Sequence, residues 1–169
     1  YGNVMGSRGS VIPFFLKKGK KGIFPITDKR MTRFNITLEE GANFVLFCLK
    51  KMQGGEIFVP KIPSYKIIDL AKAISASAKI KFVGIRPGEK LHEEMISQSD
   101  AINTIQFKNH FVILPNSQFI GWTIKKYLKQ NKPGKICHWE FSYNSKNNKD
   151  FLDINQLKKL IQQNLKDFE

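Results

Sequence analysis

Between residues 37 and 85 the apolar positions switch period twice, and this switching constrains the fold more than any other feature of the chain. TLEEGANFVLFCLKKM carries Leu38, Ala42, Val45, Leu46, Leu49 and Met52 at helical spacing, so the pattern predicts a helix with those six on its buried face. Thr37 and Glu40 are placed to form a capping box at its start, and Gly54-Gly55 stops it. EIFVP (residues 56–60) then reads as a short strand, followed by a proline-bearing loop. Ser64 is expected to cap a second helix whose Ile67, Leu70, Ala71 and Ile74 share a face, and KIKFVGI (residues 79–85) alternates like a strand. Helix and strand take turns, which points to an α/β class.

Outside this centre the signals are more scattered. Residues 10–18 suit a helix capped by Ser10, with Pro13 tolerated in its first turn, and residues 20–34 read as a polar connection. TIQF and HFVILP are extended runs, and an Asn/Lys/Gly-rich stretch follows near residues 129–135. The tail DINQLKKLIQQNL predicts an amphipathic helix capped by Asp153, with Ile154, Leu157, Leu160, Ile161 and Leu165 inward. This divides the chain into a main domain, residues 1–128, and an extension, residues 129–169. No GxGxxG loop follows a strand, and neither a P-loop nor a YxxxK pair is present.

The charge balance is strongly basic, with 28 Lys and Arg against 14 Asp and Glu and a formal net charge of +14. Such a surface attracts polyanions. The lysines are nevertheless spread along the whole length, as a solvated surface would have them, so nucleic acid is not the expected partner. Nor is a membrane, because no apolar run approaches ~18 residues. Cys48 and Cys137 stand alone, and three scattered histidines lack metal-ligand spacing, so no metal is expected. The cysteine usage fits a reduced, cytoplasmic setting.

Three short segments carry candidate chemistry. YGNVMGSRGS surrounds Arg8 with small residues ahead of a helix, which suits either an anion cradle or an ordinary capping loop. In DKRMTRF the Arg33 guanidinium is placed either to fork onto phosphate oxygens or to sit solvated in a loop. GIRPGEKLHEE is the sharpest of the three, since a strand ends and Arg86, a Pro87-Gly88 turn and Glu89 follow. Ligands bind beyond the carboxyl ends of strands in such sheets, although an Arg–Glu pair pinning the turn is the competing reading. His92, flanked by Glu93 and Glu94, reads as a solvated or paired histidine rather than a base. HWEFSY reads as packing or an interface.

YGNVMGSRGSVIPFF, ITDKRMTRFNITLEEGANFVL, GGEIFVPKIPS, GIRPGEKLHEEMIS and FSYNSKNNKDFLDINQLKKLI occur here in one order. Together they resemble the C-terminal half of the inverting UDP-N-acetylglucosamine 4,6-dehydratases, polysaccharide-biosynthesis proteins of the extended short-chain dehydrogenase/reductase superfamily. Those enzymes make capsule, flagellin-glycan and pseudaminic-acid precursors. The resemblance implies the end of a Rossmann sheet plus a substrate-binding subdomain, with the dinucleotide-binding half and the catalytic residues missing. NADP is accordingly expected to be held mainly by that other half, with Tyr1 and Val4 at its border. UDP-N-acetylglucosamine or a related UDP-sugar is the implied substrate.

Carried over by motif, Asn3 lies near the sugar and its diphosphate, and Gly6, Ser7, Arg8, Gly9 and Val11 approach the substrate. Pro25 and Thr27 border the uracil. Arg33 and Arg86 contact the diphosphate, and Glu89 holds the nucleoside end or positions Arg86. Asn35 departs from the family, which usually has a bulky aromatic there. The implied reaction oxidises C4, removes the C5 proton and the C6 hydroxyl, and returns hydride to C6 with inversion at C5. The full-length enzyme is expected to be a homo-oligomer, and this half alone to be inactive. A UDP-sugar 4-epimerase or retaining dehydratase on the same scaffold is one alternative, and a non-enzymatic basic polyanion-binding module is another.

Overall fold

The computed structural model describes residues 3–7, 9–19, 22–115 and 123–164. These form two compact units, each discontinuous in sequence. The pocket unit comprises Gly2–Leu38, Ile62–Glu93 and Ser145–Glu169, and the sheet unit comprises Glu39–Lys61 and Glu94–Asn144. Both draw on residues from either side of position 128.

In the pocket unit, α1 (Val11–Gly19) buries Ile12 and Phe15, and Phe15 meets Phe24 edge-on at 5.3 Å. The stretch expected to be a polar connection instead holds two strands, β1 (Ile23–Ile26) and β2 (Thr32–Phe34). Each is short and finds its partner far along the chain. β1 runs parallel to β5 (Lys79–Phe82), pairing Ile23 with Lys79 and Ile26 with Phe82. β2 runs antiparallel to β4 (Ser64–Lys66), pairing Thr32 with Lys66 and Phe34 with Ser64. Strand alternation then sorts the side chains. Phe24 and Ile26 are buried with Pro25 between them, and Thr32 and Phe34 are buried with Arg33 between them.

Two helices complete this core. α3 (Ile67–Ile74) buries Ile67, Leu70, Ala71 and Ala73, and it packs against the tail helix α6 (Ile154–Gln163). Ser64 does not cap α3: Lys66 occupies the cap position without a side-chain bond, and Ser64 is a buried strand residue accepting from Asn148 Nδ2 at 2.9 Å. The tail helix has the expected cap. Asp153 Oδ1 accepts from the Gln156 N–H at 2.8 Å, and Gln156 Oε1 in turn accepts from the Asp153 N–H at 2.8 Å. Leu157 and Ile161 are buried, but Ile154, in the first turn of the same stripe, is exposed. Leu165 lies outside the described residues.

The sheet unit is built on an antiparallel sheet ordered β3-β8-β7-β9: β3 (Ile57–Pro60), β8 (His110–Ile113), β7 (Thr104–Gln106) and β9 (Lys135–Ile136). A second antiparallel pair joins β6 (Glu94–Ile96) to β10 (Tyr143–Asn144), and the short helices α4 (Gln98–Ala101) and α5 (Ile124–Gln130) flank these strands in sequence. α2 (Leu38–Lys51) shows the expected extent but the opposite face. Leu38, Ala42, Val45, Leu46, Leu49 and Met52 are exposed, whereas Gly41 is buried and Phe44 and Phe47 pack inward. The helix carries apolar residues on two stripes, and the aromatic one wins because it surrounds His110 together with Phe58 and Phe107. Aromatic rings bury more area per residue than the aliphatic stripe does. In HWEFSY, Phe141 and Tyr143 pack on Phe111, while Trp139 is exposed.

Candidate functional site

The site is assembled within the pocket unit from four segments. The first is the opening turn, which is anchored where Val4 bridges Ile36 and the Met5 N–H donates to the Ile36 carbonyl at 2.8 Å. Two successive turns follow, closed by Ser7 N–H to Val4 O at 3.2 Å and Ser10 N–H to Ser7 O at 3.0 Å. Gly9 has φ +78 in the second turn, a conformation that β-carbon-bearing residues rarely adopt, and this lets the chain enter α1 directly. Ser10 stands at the start of α1, yet its Oγ is buried without a hydrogen-bond partner among the described residues, so it does not serve as a side-chain cap.

The second and third segments are β1 with the residue after it, and β2. Pro25 and Arg33 occupy the alternate positions between buried neighbours, so both face away from the core. The fourth is the turn at residues 86–89. Gly88 has φ +80 there, and the Glu89 N–H closes the turn on the Arg86 carbonyl at 3.0 Å. Glu89 Oε1 accepts from the Thr27 hydroxyl at 3.0 Å, and Oε2 accepts from the Arg86 N–H at 3.3 Å.

These segments surround two cavities. One, of about 330 Å³, is lined by Gly9, Val11, Pro25, Thr27, Arg33, Arg86 and Glu89, with Phe14, Phe15, Ile26, Met31, Ile67 and Val83 supplying an apolar wall. The other, of about 320 Å³, takes Asn3, Val4, Ser7 and Asn35, and it shares Gly9, Val11 and Arg33 with the first. Gly6 lines neither, and Tyr1 and Arg8 lie outside the described residues. Lys29 and Arg30 line a separate cavity of about 390 Å³. There Arg30 is occupied by Asp28 in a two-pronged contact of 2.9 and 2.8 Å, which holds the Asp28 carboxyl well below the usual range.

The two arginines differ in how free they are. Arg33 Nη1 donates to the Thr32 carbonyl at 2.7 Å and the Leu91 carbonyl at 3.1 Å, Nη2 reaches Met31 Sδ at 3.2 Å, and Nε lies 3.6 Å from Glu93 Oε1. Among the described residues one Nη2 hydrogen remains unengaged and available to a ligand. Arg86 is exposed at the rim, and its guanidinium carries no recorded ion pair among the described residues.

The support behind Arg33 comes from residues whose role the sequence does not display. Glu93 accepts from Asn3 Nδ2 and from the Phe34 N–H at 2.8 Å; burial pushes its carboxyl up, against the opposing pull of Phe34, Arg33 and Asn3. His92 is paired, its Nδ1 lying 2.7 Å from Thr32 Oγ1. Burial and the nearby Lys146, Arg33 and Arg30 hold His92 below the usual histidine value. Only the non-local pairing of β2 with the Leu91 carbonyl reveals these roles, because LHEE alone reads as solvated charge. Asn35 is buried beside the second cavity, with its N–H on the Pro63 carbonyl at 2.8 Å. Among the described residues no group of three or more His, Cys, Asp or Glu could hold a metal ion, and no helix is long and apolar enough to cross a membrane.

The family model described as polysaccharide biosynthesis protein matches residues 1–115. The chain belongs to that family. Over 164 residues it is 47% identical to an inverting UDP-N-acetylglucosamine 4,6-dehydratase of Campylobacter jejuni, covering 95% of this chain and 49% of that protein. It is 33% identical over 166 residues to a UDP-glucose 4-epimerase of Rickettsia canadensis, covering 95% and 47%. The X-ray structure of Pen from Bacillus thuringiensis superposes with a TM-score of 0.79 at 29% identity, over 98% of this chain and 49% of that one. The expected α/β class and the dehydratase resemblance both hold. The chain spans about half the length of the curated relatives it matches.

Proposed function

We propose that this chain is the UDP-sugar-binding part of an inverting UDP-N-acetylglucosamine 4,6-dehydratase of surface-glycan biosynthesis, the pseudaminic-acid route included. One observation carries the reading: residues from the opening turn, β1, β2 and the Arg86–Glu89 turn line two cavities that share Gly9, Val11 and Arg33. The names of the Campylobacter relatives support the substrate class.

In this reading the apolar wall and Pro25 flank the base, while Thr27 and Glu89 border the nucleoside. Arg86 and the remaining Arg33 donor meet the diphosphate, so binding energy far from the reacting carbon orients the sugar. Val4 offers an apolar border for a nicotinamide ring. The described residues supply no glycine-rich strand-to-helix loop for dinucleotide phosphates, so NADP would be held mainly by residues outside this chain. When bound, such a cofactor would supply hydride-transfer chemistry at the sugar, while this chain's residues bind and orient the UDP-sugar. The setting proposed is the cytoplasm, with the full-length enzyme a homo-oligomer.

The test is calorimetric titration of the chain with UDP, uridine and UDP-N-acetylglucosamine. UDP should bind, and Arg86→Ala should weaken it about ten- to hundredfold, the loss of bonds to a charged group, while uridine is unaffected. No UDP binding by the unaltered chain would overturn the reading. Binding of random oligonucleotides that survives Arg33→Ala with Arg86→Ala would favour the polyanion-binding alternative instead.

A further inference from the structure

Glu93 lines neither cavity, yet it joins two residues that do. Its Oε1 accepts from Asn3 Nδ2 and lies 3.6 Å from Arg33 Nε, while Oε2 accepts from the Phe34 N–H at 2.8 Å. Its main chain is clamped as well. The Glu93 N–H donates to Ser145 Oγ at 2.9 Å, and the Ser145 N–H donates to the Glu93 carbonyl at 2.8 Å. Ser145 is fully buried, and its Oγ lies 2.8 Å from Thr32 Oγ1. The carboxylate is thus held from behind and cannot swing to suit Asn3.

An ionised carboxylate only accepts hydrogen bonds, so Asn3 must meet it with the amide nitrogen. That choice fixes the other end of the amide, because the Asn3 carbonyl oxygen is turned away from Glu93 and left available at the cavity that Asn3 lines. A carbonyl there takes a donor, such as a sugar hydroxyl, and repels a phosphate oxygen.

We propose that Glu93 is a positioning residue that sets the polarity of the second cavity, making Asn3 an acceptor for a hydroxyl or amide N–H of the sugar. This rests on the UDP-sugar reading above and narrows the role of Asn3 to the sugar rather than the diphosphate. Arg33, braced by the same carboxylate, remains on the anion side.

The quantity that reads this out is how much more tightly the chain binds UDP-N-acetylglucosamine than UDP, measured by calorimetry on the full chain. Glu93→Gln keeps the shape and the bond to the Phe34 N–H, but it presents an amide donor to Asn3. Asn3 must then flip and show N–H groups to the cavity. The sugar's advantage should fall about three- to tenfold, the loss of one hydrogen bond; because Glu93 also braces Arg33, UDP affinity can change too, and that change cancels in the ratio.

Asn3→Asp in the Glu93→Gln background restores an acceptor on both sides and should recover the advantage, which a merely structural role for Glu93 would not produce. Asn3→Ala, a change at an exposed position, should lose the advantage by itself, and adding Glu93→Gln to it should lose no more. An unchanged advantage in Asn3→Ala, or no recovery in the Asp/Gln pair, overturns the inference and leaves the UDP pocket standing. If the unaltered chain binds neither ligand, both readings fall together.

Discussion

The Thr27 hydroxyl donates to Glu89 Oε1 across 3.0 Å, tying the end of β1 to a turn that lies 62 residues further along the chain. The same carboxylate takes the Arg86 N–H at 3.3 Å, so one side chain sets the relation between the two segments. In place of an Arg–Glu ion pair, the competing reading of this turn, Glu89 takes the main-chain N–H of Arg86 and leaves its guanidinium at the rim. Glu89→Ala and Thr27→Val should each weaken UDP binding. The double variant should be less than additive, with a coupling of about 0.5–1.5 kcal/mol, the net worth of one such bond. Titration calorimetry on the four proteins checks this, and strict additivity would show that the two loops act independently.

The exposed stripe of α2 and the buried stripe of α3 predict contrasting stabilities. Leu46 is 55% exposed, whereas Leu70 in α3 is fully buried in the core that α1, α3 and α6 share. Leu70→Ala leaves a cavity and should cost about 2–5 kcal/mol. Leu46→Ala should stay within about 0.5 kcal/mol of the unaltered chain. Denaturant unfolding followed by circular dichroism measures both. A large loss at Leu46 would mean that the stripe is packed in solution.

What the sequence made readable follows physical locality. α3 and the tail helix were legible because their apolar residues keep one strict stripe, and Asp153 with Gln156 completes a capping box within a few residues. β1 and β2 were not, since IFPI contains a proline, TRF is three residues long, and the partners of both arrive only in the folded chain. α2 misled because either stripe satisfies the helical period, and only the aromatic cluster at His110 decides between them. Most of the cavity lining was readable from motifs, as with Arg86 and Glu89. Glu93 was hidden because its partners Asn3, Arg33 and Phe34 come from other segments.

Gly88 offers a test of turn geometry free of packing effects. Its φ is +80, and an added β-carbon would meet nothing within 4 Å, so Gly88→Ala brings backbone strain alone. The expected cost is about 1–2 kcal/mol, borne by the turn that positions Arg86 and Glu89. UDP affinity should fall, and Gly88→Asn should recover much of it, because asparagine visits this conformation more readily. Equal affinities for the Ala and Asn variants would show that the turn's conformation is irrelevant to binding.

The two packed histidines set an acid limit. His92 is held below its ordinary value of 6.5 by burial and by Lys146, Arg33 and Arg30, with Asp28 opposing. His110, among Phe44, Phe47, Phe58 and Phe107, is held below the same value by burial and by Lys61. A base whose folded value is depressed takes up its proton first in the unfolded chain. Each therefore contributes stability that is present above about pH 6.5 and is lost as the pH falls through its folded value. Proton NMR titration should give midpoints below 6.5 for both rings. Amide exchange, corrected for its intrinsic pH dependence, should quicken on acidification near Thr32 in the pocket unit and near Phe111 in the sheet unit. His92→Asn should remove the effect at Thr32 and spare Phe111. A midpoint for His92 at or above 6.5 would mean that its contact with Thr32 and the cations around it do not hold it neutral.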